Sequence, residues 1–230
     1  KQFYSENYAR IIAYADTGSE GDIAFQTVEN IHEKAEALYG DGFYTLGRST
    51  NLYDMKKLTE KDNLAVNLIA VAAIFLVLLV TFKSVVLPFI LVLAIETGIW
   101  INLSIPYFTG TPINFLGYLV LSTIQLGATV DYAILLTNTY LANRKLMPKY
   151  EAMKVSLGTA FKSILVSALI LSTAGFTLYL TSSNRYTADI GLLLGRGTLL
   201  SLTMVVCFLP ILLFVFDRAI QRTTYRSEFY

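Results

Sequence analysis

Five apolar runs, each long enough to cross a lipid bilayer, constrain this chain more than any other feature. A spanning helix needs about 20 mostly apolar residues to cover roughly 30 Å of hydrocarbon. Segments 64–82, 85–103, 113–139, 163–180 and 190–216 meet that requirement. The two longest exceed it, which leaves room for tilt or for turns that project past the hydrocarbon. Only 15% of the residues are charged, against about a quarter in a soluble globular domain. Those charges divide the chain near residue 62: residues 1–62 carry 7 basic and 11 acidic side chains, residues 63–230 carry 11 and 6. The overall charge of +1 conceals this split.

The basic residues gather in particular connections. Lys83 lies after the first apolar run; Arg144, Lys145, Lys149, Lys154 and Lys162 follow the third; Arg218, Arg222 and Arg226 follow the last. In an alternating bundle all three positions fall on one side, which the enrichment of Lys and Arg in cytoplasmic loops makes the inner one. Segments 104–112 and 181–189, with Arg185 as their one basic residue, then face outward, as does the region 1–62, and a tail at 220–230 is cytoplasmic. Around 148–161, Tyr150, Met153, Leu157 and Ala160 recur at helical spacing among lysines, which predicts a helix lying in the cytoplasmic interface.

The outer region 1–62 reads as strand, helix, strand. Residues 8–15 are rich in aromatic and branched side chains; Ala24, Val28, Ile31, Ala35 and Leu38 form an apolar stripe; 43–46 follow a Gly40-Asp41-Gly42 turn. A βαβ unit of this size cannot bury its own core, so the rest of an α+β subdomain is expected before Lys1 or in another chain. Lys1 is neither an initiator methionine nor the start of a signal peptide, and the chain is expected to be a fragment. Cys207, a lone cysteine in an apolar run, permits no disulfide within the chain and reads as a packing residue.

Asp131 stands within the third apolar run, roughly 12 Å from its inner end at about 1.5 Å per residue. A carboxylate there is costly, and such groups face a bundle interior or a water-filled cavity and mark ion or proton pathways. The competing reading is a polar contact between helices, which an amide or hydroxyl could make without the charge. Gly127 and Ala128 share the face of Asp131 and let a helix or water approach closely. Tyr132 offers a phenol able to donate to a carboxylate. Glu96, roughly 16 Å from the inner end of the preceding run, is either a second proton site or a hydrogen-bonding residue to Thr97 or a neighbouring helix. Arg196, within Gly195-Arg196-Gly197 and about 9 Å from the outer end of the last run, is expected to snorkel or to brace the outer region, without pairing with Asp131. His32 reads as a solvated surface residue. No P-loop, no GxSxG serine, no CxxC metal pattern and no basic patch for nucleic acid occurs, so the chain is read as no enzyme and as needing no cofactor or metal.

Gly127-Ala128-Thr129-Val130-Asp131-Tyr132, continued through residue 144, resembles the fourth-helix motif of the RND superfamily, MMPL branch. Phe82-Lys83-Ser84 with Pro88, Ala174-Gly175-Phe176, and the stretch 191–210 ending in Leu-Pro are similar to that family's flanking helices, so the resemblance covers 59–219. It implies an α-helical integral membrane protein: five transmembrane helices of a half-bundle, with part of an extracytoplasmic ferredoxin-like porter subdomain in 1–62. It further implies a proton-driven exporter of lipidic or amphipathic compounds in the cell membrane. There Asp131 is the proton carrier, Tyr132 its hydrogen-bonding partner, and a second half-bundle completes the relay. The basic tail favours the C-terminal half. Translocation accessories of the SecD and SecF type typically carry Val-Asp-Ala-Asn where this chain has Val130-Asp131-Tyr132-Ala133. Sterol-sensing relatives share the helical layout, so a lipid-binding or scaffolding module without proton flow is the alternative.

Overall fold

The computed structural model describes residues 4, 8–110 and 115–224, with the side chains of 60–63, 115, 116 and 118–122 left aside. It divides into two compact units, 1–62 and 63–230.

In the first unit the helical expectation holds and the strands do not. The helix α1 (Asp22–Tyr39) buries Ala24 and Val28, whereas Ile31 and Leu38 of the same stripe stay exposed. Among the described residues there is no strand at 8–15 or 43–46, only an isolated antiparallel bridge between Tyr4 and Ala9. An extended segment is held by the ladder it joins, and among the described residues neither run has one. His32 is not simply solvated, as the sequence suggested. Its Nε2 lies 2.6 Å from Thr45 Oγ1, and its ring meets Phe43 and Tyr53 edge-on at centroid distances of 6.2 and 5.8 Å. Tyr53 also donates to Glu29 at 3.1 Å. Loss of solvent and then this carboxylate partner raise the Tyr53 phenol above its ordinary pKa.

The helix α2 (Arg48–Phe82) carries the first apolar run, followed by α3 (Val86–Thr109), α4 (Phe115–Arg144), α5 (Lys149–Thr181) and α6 (Arg185–Thr203). A π-helical turn, Met204–Phe208, leads into α7 (Leu209–Val215), and α8 (Asp217–Thr223) follows. Pro210 explains the interruption: without an N–H it cannot bond back to the preceding turn, and the helix absorbs the defect by widening. Cys207 lies exposed on this turn rather than packed.

The expected interfacial helix and the fourth apolar run are one continuous helix, α5. Among the described residues four helical stretches are long and apolar enough to cross a membrane: Leu64–Phe82, Val86–Thr109, Lys149–Thr181 and Arg185–Val215. The fourth helix, α4, is not among them. Residues 113 and 114 and the side chains of 115, 116 and 118–122, which hold much of its apolar run, lie outside the described residues. The fifth span read from the sequence therefore rests on where α4 packs, against α3, α5 and α6.

The closest packing joins α5 to α6. A Cβ on Gly175 would lie 2.5 Å from Gly195 N, and one on Gly191 would lie 2.7 Å from Gly175 O. The backbones touch there, as small residues in membrane helices allow, and Ser172 Oγ donates to Gly195 O at 3.0 Å. The basic connections meet at one end of the bundle. Ser84 Oγ lies 3.2 Å from Thr223 Oγ1, and Lys149 Nζ stands 4.0 Å above the Phe214 ring.

Candidate functional site

The packing of α4 decides which of its side chains can meet a substrate or a proton. Gln125, Leu126, Thr129, Val130, Tyr132, Ala133 and Leu136 turn into the bundle and are buried. Ile124, Gly127, Asp131, Leu135, Asn138 and Ala142 are exposed. Their spacing of three and four residues is that of one helical face. Asp131 therefore sits on the face of α4 that the described residues of the bundle leave uncovered.

Beside it a cleft of about 390 Å³ opens between α4 and α5, lined by Ala128, Asp131, Tyr132 and Leu135 from the one and Ser163, Ile164 and Ser167 from the other. The two serines give the cleft hydroxyls that can hold water next to the carboxylate. Gly127 has open space around it: no atom would lie within 4 Å of an added Cβ. No described residue approaches Gly127, and Ala128 lines the cleft with Asp131. Tyr132 borders the same cleft and is otherwise buried in the core. Among the described residues no hydrogen bond joins its hydroxyl to Asp131.

Glu96 is partly buried on α3. Of the two roles left open for it, the bond to Thr97 is not formed, because the Thr97 hydroxyl donates to Leu93 O at 2.7 Å. No contact among the described residues links Glu96 to Asp131.

Two polar clusters were not legible in the sequence. The first joins α3, α4 and α6 inside the bundle. Arg196 donates from Nε to Asn102 Oδ1 at 2.8 Å and from a terminal nitrogen to Asn102 O at 3.0 Å. Asn102 Nδ2 donates to Gln125 Oε1 at 2.9 Å and to Leu193 O at 3.0 Å. Gln125 Nε2 reaches Gly197 O and Ser201 Oγ at 3.2 and 3.1 Å. Thr129 Oγ1 donates to Gln125 O at 2.6 Å and lies 2.8 Å from Ser201 Oγ. Gly197 makes room for this network, since a Cβ there would fall 2.5 Å from Asn102 Nδ2 and 2.6 Å from Gln125 Oε1. Arg196 is thus held by Asn102 within the bundle, and among the described residues it does not pair with Asp131. The signal available was the recurrence of amides and hydroxyls at one helical face, Gln125 and Thr129, opposite the glycines around Arg196.

The second cluster seals the basic end. Arg144 donates from Nε to Asp217 Oδ1 at 3.1 Å and from a terminal nitrogen to Oδ2 at 3.1 Å, and Tyr140 donates to Oδ1 at 2.7 Å. Both charged side chains are less than 10% exposed. Another terminal nitrogen of Arg144 donates to Met147 O at 3.2 Å. Arg144, read from sequence as one of several loop cations, is thus a buried partner that ties the end of α4 to the start of α8. Among the described residues no group of three or more His, Cys, Asp or Glu could hold a metal ion.

The chain matches the model of the MMPL family over residues 6–228. It is 25% identical over 229 residues to the membrane protein ActII-3 of Streptomyces coelicolor, covering 89% of this chain and 32% of that protein. It is also 25% identical over 158 residues to the membrane protein SCO0839 of the same organism, covering 66% of this chain and 22% of that one. The chain thus spans at most about a third of the length of these relatives. With its apolar helices and its Asp131-Tyr132 helix, it belongs to the MMPL family.

Proposed function

We propose that this chain is a half-bundle of a proton-driven exporter of lipidic or amphipathic compounds, in which Asp131 takes up and releases the proton. The observation that carries the reading is the position of Asp131: a carboxylate in the middle of a helix of an apolar bundle, on its one uncovered face, beside open space at Gly127 and a serine-lined cleft. A structural hydrogen-bonder would be expected to have its partner, as Asp217 has Arg144 and Tyr140. In this reading α4 is a fifth spanning helix, because it packs among three helices and its buried Gln125 and Thr129 find hydrogen-bond partners inside the bundle. A second half-bundle closes over the exposed face and confines water to the cleft. Tyr132 tunes the carboxylate from the core side, and Glu96 is a second acid on α3. The unit 1–62 belongs to an extracytoplasmic porter region, with the basic end cytoplasmic.

Export by the full-length protein in proteoliposomes under an imposed pH gradient tests this. Replacing Asp131→Asn keeps the size and removes the titration, and it should abolish gradient-driven export while leaving substrate binding in place. Full export by the variant would overturn the proposal in favour of a lipid-binding or scaffolding module.

A further inference from the structure

A second cavity lies away from Asp131, at the basic end of the bundle. It is a groove of about 460 Å³ between α5 and α7, walled by Tyr150, Met153 and Leu157 on one side and by Pro210, Ile211 and Phe214 on the other, with Lys154 at its edge. Its size falls in the range of about 300–1,000 Å³ usual for ligand cavities. Residues 197–216 carry no charge and are long enough for roughly 30 Å of hydrocarbon. Their last turns, which hold the α7 wall, lie at the hydrocarbon edge, and the α5 wall packed against them lies at the same depth.

The floor is apolar and the rim is cationic. Lys154 lines the groove itself, and Lys149, though not a lining side chain, brings its Nζ to 4.0 Å over the ring of Phe214, which is one. Lys145 and Arg218 are exposed at the same end. The acidic neighbours do not cancel this charge: Asp217 is taken up by Arg144, and Glu151, which like Lys149 leaves α5 roughly 100° from the groove centre, is not a lining side chain. The groove is also separate from the face beside Asp131, since Ser163 and Ser167 lie roughly 110° away round the same helix. A second bundle covering Asp131 would leave it facing lipid.

We infer that this groove is a binding site for an anionic phospholipid, with an acyl chain between α5 and α7 and its phosphate held by Lys149 and Lys154. A basic pocket between membrane helices suits such a headgroup, and the apolar walls distinguish it from a site for a soluble anion. The inference does not rest on proton coupling through Asp131.

The test is photo-crosslinking of the full-length protein in phosphatidylcholine nanodiscs, doped with a phosphatidylglycerol or a phosphatidylcholine probe bearing the same diazirine acyl chain. Peptides holding 150–157 and 210–214 should be labelled preferentially by the phosphatidylglycerol probe. Lys149→Gln and Lys154→Gln should each lower that labelling roughly fivefold and leave the weaker phosphatidylcholine labelling unchanged. Leu157→Trp, which fills the groove, should remove labelling by both probes while thermal melting shows the variant folded. Equal labelling by the two probes, insensitive to the lysines, would overturn the inference in favour of ordinary annular lipid. Absence of labelling in these peptides alone would overturn it in favour of a protein segment covering the groove.

Discussion

Asp131 and Asp217 belong to the same bundle and live under opposite conditions. Asp217 is sealed: Arg144 grips both of its oxygens, Tyr140 donates to one of them, and its side chain is 6% exposed. Asp131 faces outward beside a cleft, with no such grip. A carboxylate held by a guanidinium and a phenol fixes two helices together, whereas one without such partners is open to the proton-handling role proposed above. Two aspartates less than 100 residues apart thus differ by what surrounds them, and the proposed function gives the one a structural and the other a chemical role.

The sharpest way to break this contrast is Asp217→Ala. It strands the buried Arg144 charge, and removal of one partner from a buried pair costs about 3–5 kcal/mol, so the yield of folded protein and its melting temperature should fall steeply. The double change Arg144→Met with Asp217→Leu should recover most of that loss, because an apolar pair avoids the desolvation of both ions. Asp131→Asn, by contrast, should leave melting within about 0.5 kcal/mol of the parent. Gly175→Ala comes next. Its Cβ would press on the Gly195 backbone, and overpacking costs about 1–3 kcal/mol, read as a lower melting temperature. Gln125→Leu should cost about 1–3 kcal/mol by leaving Asn102 and its neighbours short of partners. The smallest effect on stability belongs to the open face. At Gly127 an added Cβ meets no described atom within 4 Å, so Gly127→Leu should change melting by less than about 0.5 kcal/mol, yet it should cut export by the full-length protein if a second bundle closes there.

Much of this contrast was readable from sequence on one side only. Asp131 stood out because a charge in an apolar run violates the solvent around it, and its neighbours Gly127 and Ala128 marked the same face. Asp217 did not, because it follows directly on an apolar run, where any charge reads as the bank of the membrane. Only the return of α8 beneath α4 reveals the partner 73 residues away. The same long-range pairing hid the Asn102–Gln125–Arg196 network. The helices α2, α3 and α5 and the span from α6 to α7 were legible, since their length and apolar content suffice. The expected strands at 8–15 and 43–46 were not formed, since a strand depends on a neighbour that local sequence does not supply. The interfacial helix merged into α5, because no Gly or Pro separates residue 161 from 163 to break it.

Infrared difference spectroscopy of the full-length protein across a pH jump tests the division between the two aspartates most directly, since it reads carboxyl protonation itself. Among the protonated-carboxyl bands that grow as pH falls, the account predicts one component that is lost in Asp131→Asn and persists in the Arg144→Met, Asp217→Leu double variant. A band that survives Asp131→Asn and vanishes when Asp217 is removed would contradict it.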